Sequence, residues 1–145
     1  MKSRITWLPG MLLLLLSGMA LAAGNFSVTP NGVQYKDLHA GSGPAAEQGD
    51  IVRVHFVGWL DEQNHKGKEL FNTRNRGKPV AFVVGTENVM PAWNDGVIGM
   101  QAGGKRLLMV PPKLGYGSKG VQDVVPPDAS LIFLFELVDL QKAGD

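Results

Sequence analysis

Ten consecutive residues, Ile51 to Leu60, set the tightest limit on what this chain folds into. Val52, Val54, Phe56 and Gly58 alternate with Arg53, His55, Val57 and Trp59. A period of two, rich in β-branched and aromatic residues, predicts a strand with one buried face. Val33–Leu38, Leu70–Thr73, Pro79–Val84, Lys105–Val110 and Leu131–Leu140 also read as extended. Only Pro91–Met100 has helical spacing. Pro91 suits a first helical turn, and Trp93, Val97 and Met100 fall at i, i+4 and i+7. Many strands and one short helix predict the α+β class, an antiparallel β-sheet with a helix on one face. Gly41–Pro44 reads as a break, Asp61–Lys68 as a polar turn and Arg74–Lys78 as a charged loop. Pro111–Asp128, rich in Gly and Pro, is too long to be a neutral connector.

The N-terminus has a different character. Lys2 and Arg4 precede an apolar run, Met11–Leu16, and Ala20 and Ala22 supply an A-x-A pattern. These are the parts of a secretory signal, so residues 1–22 are expected to be removed. The apolar run is too short to span a bilayer core of about 30 Å, and Pro9 and Gly10 interrupt it. No stable membrane insertion is expected after cleavage. Residues 23–32 read as a flexible lead-in and residues 33–141 as one domain, of a size that buries an adequate core. The expected location is outside the cytoplasm, in a bacterial periplasm or secreted.

The leader holds two of the 14 basic residues and none of the 13 acidic ones, so cleavage turns a formal charge of +1 into −1. Such a balance offers no electrostatic footprint for nucleic acid. The chain has no cysteine, which excludes a thiol nucleophile, a disulfide oxidoreductase and a Cys-ligated zinc site. Gly99–Lys105 imitates a phosphate loop, but Arg106 stands where a hydroxyl is needed and a strand follows instead of a helix. Gly41–Ala46 loosely imitates a dinucleotide loop and also leads into a strand. His39, His55 and His65 share no face, so neither a metal site nor a catalytic triad is expected. No cofactor is implied.

What remains is aromatic. Phe56, Phe71, Phe82, Trp93 and Phe133 sit on separate segments, as a core or a pocket requires. Their neighbours are more specific: Val54-His55-Phe56-Val57-Gly58, Glu69-Leu70-Phe71-Asn72-Thr73, Pro79-Val80-Ala81-Phe82, Val89-Met90-Pro91-Ala92-Trp93, Gly115-Tyr116-Gly117 and Val125-Pro126-Pro127. In order and spacing this series resembles the FKBP-type peptidyl-prolyl isomerases, from about Val33 to Leu140.

The resemblance implies an antiparallel sheet wrapped around one short helix and an apolar pocket that accelerates rotation of X–Pro bonds without covalent chemistry or metal. Trp93 would form its floor. Phe56, Phe71, Phe82, Val89, Met90, Val125 and Phe133 would surround it, with Arg76 and Val80 completing the substrate-binding set. Tyr116, Asn72, Phe71 and Trp93 would be the catalytic set, the Tyr116 hydroxyl and the Met90 N–H each serving a ligand carbonyl. The implied partners are proline-containing polypeptide chains, with macrolide inhibitors as candidate ligands. A monomer is expected.

The chain departs from the family pattern in places. Asn72 replaces a usual Asp, Phe56 a usual Tyr and Val80 a common aromatic. Val121 stands where some members carry His, and the Phe71–Pro79 interval is one residue short. Asn72 and Phe56 motivate the alternative of a weakly active or non-catalytic peptide-binding module. Trp59, expected to be exposed, is a lone candidate handle for a partner.

Overall fold

A computed structural model describes residues 26–144, so the expected leader lies outside the described residues. The alternating segment is the spine of the fold, β4 (Ile51–Glu62). Val52, Val54 and Phe56 are buried, whereas Ile51 and Arg53 on the opposite face are exposed. Along one edge β4 pairs with β9 (Leu131–Gln141), from Ile51 opposite Gln141 to Leu60 opposite Leu131. β9 pairs next with β8 (Lys105–Val110), β8 with β2 (Gln34–His39) and β2 with β1 (Ser27–Val28). Along its other edge β4 takes two partners in succession. β6 (Val80–Val83) lies against Ile51–Val54, and β5 (His65–Asn72) against Val57–Glu62. All these pairs are antiparallel.

The helix α1 (Pro91–Val97) packs on the inner face. Its Ala92 and Val97 meet the fully buried Leu108, Leu131, Phe133, Phe135 and Leu137 in one core. Burying each of the larger side chains contributes roughly 1.5–3 kcal/mol. Gly96 lets the helix approach closely: a Cβ there would lie 2.5 Å from Leu108 Cδ1. The helix stops three residues before the expected Met100. Ile98 leaves helical geometry (ψ 129°) and Gly99 takes φ 87°, a left-handed value suited to glycine. Buried Arg106, reaching in from β8, donates Nη1–H to the carbonyls of Gly96 (2.9 Å) and Ile98 (2.7 Å). It thereby satisfies helix-end acceptors while its Nε donates to Asp37 at 2.6 Å.

Three expectations about connecting segments change, and one about an exposed side chain. The polar stretch 61–68 is mostly strand, because the turn needs only Gln63 and Asn64 (φ 56° and 68°). Two left-handed residues make the tight hairpin turn that matches strand twist, and polar composition alone cannot separate such a hairpin from a loop. The break at Gly41–Pro44 holds a short strand, β3 (Ser42–Ala45), paired with β7 (Gln101–Ala102). Part of the lead-in is ordered: β1 pairs with β2, and Thr29 Oγ1 and Asn31 Nδ2 donate to the two Asp95 oxygens on α1 at 2.8 and 2.9 Å. Trp59 is half-buried, with Ile132 opposite and the Lys66 ammonium 4.4 Å above its ring, so it is no free handle.

Candidate functional site

The first turn of α1 carries Trp93, and four phenylalanines surround its indole. Phe133 and Phe135, alternate inward residues of β9, present near-perpendicular rings at 5.7 and 5.6 Å. Phe56 from β4 lies 4.6 Å away and Phe82 from β6 5.9 Å away. Edge-to-face contacts of this kind add roughly 0.5–1.5 kcal/mol each beyond burial. The indole is therefore gripped from below, and its orientation is set by the sheet.

Above it opens a cavity of about 670 Å³ walled by Val80, Ala81, Phe82, Val83, Thr86, Asn88, Val89, Met90, Trp93, Gly115 and Tyr116. Residues from β6, the 84–90 loop, α1 and the 111–130 loop thus converge on one opening. Asn94 shapes the second of these. Its Oδ1 accepts the Gly85 N–H at 2.8 Å, and its Nδ2 donates to the Thr86 carbonyl at 2.8 Å. In the 111–130 loop, Gly117 N–H donates to Pro112 O (2.8 Å) and Asp128 N–H to Gly117 O (2.9 Å). A bridge between Val121 and Val125 closes the tip.

The site has apolar walls and a few donors. Burial pushes the Tyr116 phenol above the usual tyrosine value, so it stays protonated and able to donate. Neither its hydroxyl nor the Met90 N–H is taken up by a hydrogen bond among the described residues. The buried Trp93 indole N–H also has no acceptor there. No cluster of three metal-ligating side chains occurs among the described residues.

Of the residues singled out in the sequence, Val80, Phe82, Val89, Met90, Trp93 and Tyr116 line this cavity. Phe71 sits beside it, its ring 6.1 Å from that of Tyr116. The remaining candidates are not on this wall. Phe133 and Phe56 are buried and pack against the Trp93 indole, outside the wall of this cavity. Val125, in the 111–130 loop, is buried as part of the core. Asn72 turns away to its own backbone: its Oδ1 accepts the Arg74 N–H at 3.0 Å and caps a 3₁₀ turn, Thr73–Arg76. Arg76 ends that turn, exposed and outside the cavity wall.

Some contributors were not anticipated. Phe135 is the clearest, and the alternation Leu131, Phe133, Phe135, Leu137 already carried its signal. Asn94 and Thr73 had none, since a polar residue in a helix or loop does not announce its partner.

Comparison with known proteins bears on this geometry. The profile of a family described as FKBP-type peptidyl-prolyl cis-trans isomerase matches residues 43–138. FK506-binding protein 2 of Yarrowia lipolytica is 37% identical over 140 residues, spanning 92% of this chain and 94% of that protein. An FK506-binding protein of Neisseria meningitidis serogroup A is 38% identical over 107 residues, 74% of this chain and 94% of the relative. The crystal structure of FkpA from Escherichia coli superposes with a TM-score of 0.72 at 32% identity, covering 92% of this chain and 60% of that one.

Proposed function

This chain belongs to the FKBP-type peptidyl-prolyl cis-trans isomerases, and from that premise we propose that the cavity over Trp93 is where it rotates X–Pro bonds of exported, folding polypeptides. The observation that carries the reading is the braced indole floor beneath a mostly apolar opening edged by two unengaged donors, Tyr116 Oη and Met90 N–H.

The reaction asks for little else. Peptide-bond rotation meets a barrier of about 18–20 kcal/mol, and uncatalysed X–Pro isomerisation takes about 10–100 s at 25 °C. No covalent bond breaks and no proton leaves. Acceleration comes from binding the twisted amide better than either planar form. A proline ring packed on the Trp93 face, between Phe82 and Val89, leaves the preceding amide free to turn. Twisting removes amide resonance and so lessens its charge separation, a change favoured where walls are apolar and water is excluded. Tyr116 and the Met90 N–H would hold the flanking carbonyls, so that rotation is confined to one bond. A neutral phenol suits this task, since a phenolate would accept rather than donate.

Macrolides of the kind for which the relatives are named would compete for the same cavity. The basic, apolar and small-residue pattern of residues 1–22 supports action outside the cytoplasm.

The test is a direct, protease-free isomerisation assay on Leu-Pro and Phe-Pro peptides with wild type, Trp93→Leu and Tyr116→Phe. Turnover well above buffer, lost in Trp93→Leu, is the expected result. Folded wild-type protein no faster than buffer would leave the alternative, a peptide-binding module without useful catalysis.

A further inference from the structure

Midway along β4 the sheet has a missing rung. β6 pairs with Ile51–Val54 and β5 with Val57–Glu62, so His55 and Phe56 have no strand opposite them on that edge. The Phe56 backbone is satisfied there all the same. Its N–H donates to Thr73 Oγ1 at 2.9 Å, and the Thr73 hydroxyl faces the Phe56 carbonyl at 3.3 Å. Thr73 is 4% exposed, so water does not compete for these groups.

The hydroxyl has one proton to give. It faces the Phe56 carbonyl at 3.3 Å, and His55 Nδ1 lies 2.9 Å from the same Thr73 Oγ1. Burial, aided by the Arg74 charge, holds the His55 imidazole below its usual pKa, which favours its neutral form. Thr73 therefore accepts from the Phe56 N–H and contacts both the Phe56 carbonyl and His55 Nδ1, tying two consecutive residues of β4 to the start of the 3₁₀ turn.

Both ends of this tie reach the cavity. Phe56 presses its ring to within 4.6 Å of Trp93. Two residues before Thr73, Phe71 stands 6.1 Å from Tyr116. Asn72, between them, spends its side chain on capping the turn, and exposed Arg74 pairs with Glu136 on β9. The buried link from the turn to β4 is thus the threonine hydroxyl.

We infer that Thr73 is a positioning residue of the isomerase: its hydroxyl substitutes for a ladder rung and holds the Phe56 support and the Phe71 side of the cavity in one register. The inference rests on reading the cavity over Trp93 as the site of catalysis. Thr73→Val keeps shape and removes the hydroxyl, whereas Thr73→Ser keeps the hydroxyl and removes a methyl group.

The experiment measures kcat and KM separately for the mature protein by line-shape or exchange NMR on a Leu-Pro peptide, with folding checked by circular dichroism. Thr73→Val should lower kcat about tenfold, the scale of a small misplacement of site groups, with KM moving far less. Thr73→Ser should restore kcat to within about twofold of wild type, as a retained hydroxyl requires. Folded Thr73→Val with wild-type kcat, or Thr73→Ser as slow as Thr73→Val, overturns the inference. If Thr73→Val does not fold, Thr73→Ala replaces it under the same criterion. Trp93→Leu separates the two readings. Full activity there sinks the cavity as the site, while lost activity beside an unaffected Thr73→Val sinks only the role of Thr73.

Discussion

Replacing Gly96 with alanine opposes two effects of similar size, and the structure says which wins. Helix propensity favours the change, since glycine inside a helix is about 1 kcal/mol worse than alanine. Packing opposes it. The new Cβ would sit 2.5 Å from Leu108 Cδ1, 2.8 Å from Cδ2 and 3.3 Å from Cγ. Relaxed carbon contacts need about 3.5–4.0 Å, so about 1 Å of separation must be found. Leu108 is fully buried and cannot swing into solvent, so α1 itself has to lift. Overpacking of this kind costs about 1–3 kcal/mol, leaving a net loss near 1 kcal/mol and a thermal midpoint lower by about 4 °C. The larger effect falls on catalysis. Trp93 rides on the same helix, and a shift of about 1 Å at a positioned group lowers turnover by about tenfold or more. Differential scanning calorimetry and the peptide assay read the two outcomes. In a Leu108→Val background the alanine should cost less, so the double variant loses less than the sum of the singles. A Gly96→Ala protein with a raised midpoint and full activity would refute the close seating of α1 on β8.

Other outcomes follow from the same geometry. Tyr116→Phe should keep the fold and lose about three- to tenfold in kcat/KM, the scale of one neutral hydrogen bond, in the direct peptide assay. Because burial holds the phenol protonated, the wild-type rate should stay flat through mild alkali and fall only above the ordinary tyrosine range. Asn72→Asp should change kcat/KM less than about threefold, since either side chain caps the 3₁₀ turn from outside the cavity wall; a gain above tenfold would contradict this. Asp50 is 1% exposed, accepts from Lys142 Nζ at 2.7 Å and from the Ala143 N–H at 3.0 Å, and is held below the usual carboxylate pKa chiefly by Lys142. A lowered folded-state pKa means its stabilisation is complete above the unfolded value of about 4 and fades as pH falls through the folded one. The midpoint gap between wild type and Asp50→Asn should therefore be constant from pH 5 upward and close in stronger acid.

Inward and outward were legible in this sequence; depth was not. The period of two in Ile51–Leu60 marked β4 because each inward residue meets the helix side and each outward one meets water or a neighbour's stem. The same rule covers β9, yet it cannot say that Phe133 and Phe135 lie under Trp93 while Phe82 stands beside the opening. That distinction depends on where α1 crosses the sheet, which Gly96 and Leu108 decide through a contact between distant residues. Met100 extended the helical spacing on paper because it is buried, but it reaches the core from beyond Gly99 instead of from the helix. Asn72 shows a further limit. Its residue type suggested a polar site group, while a bond to Arg74 N–H two residues on claims its oxygen.

The indole of Trp93 belongs to the core on one face and to the cavity on the other, and this explains why so few polar groups are needed. Four aromatic rings within 6 Å fix its plane, so the floor is already in place before a chain arrives. A preformed surface loses little freedom on binding, and more of the contact energy remains for the twisted amide. The arrangement also ties catalysis to stability. Substitutions beneath the indole, such as Phe135→Leu, should lower both the midpoint and kcat, because the same ring contacts serve both. Substitutions at the cavity wall, such as Val89→Ala, should move KM while the midpoint hardly changes, since Val89 is only partly buried against the core. A set of wall variants that lost stability in proportion to activity would mean that the cavity is core exposed by accident, and not a site.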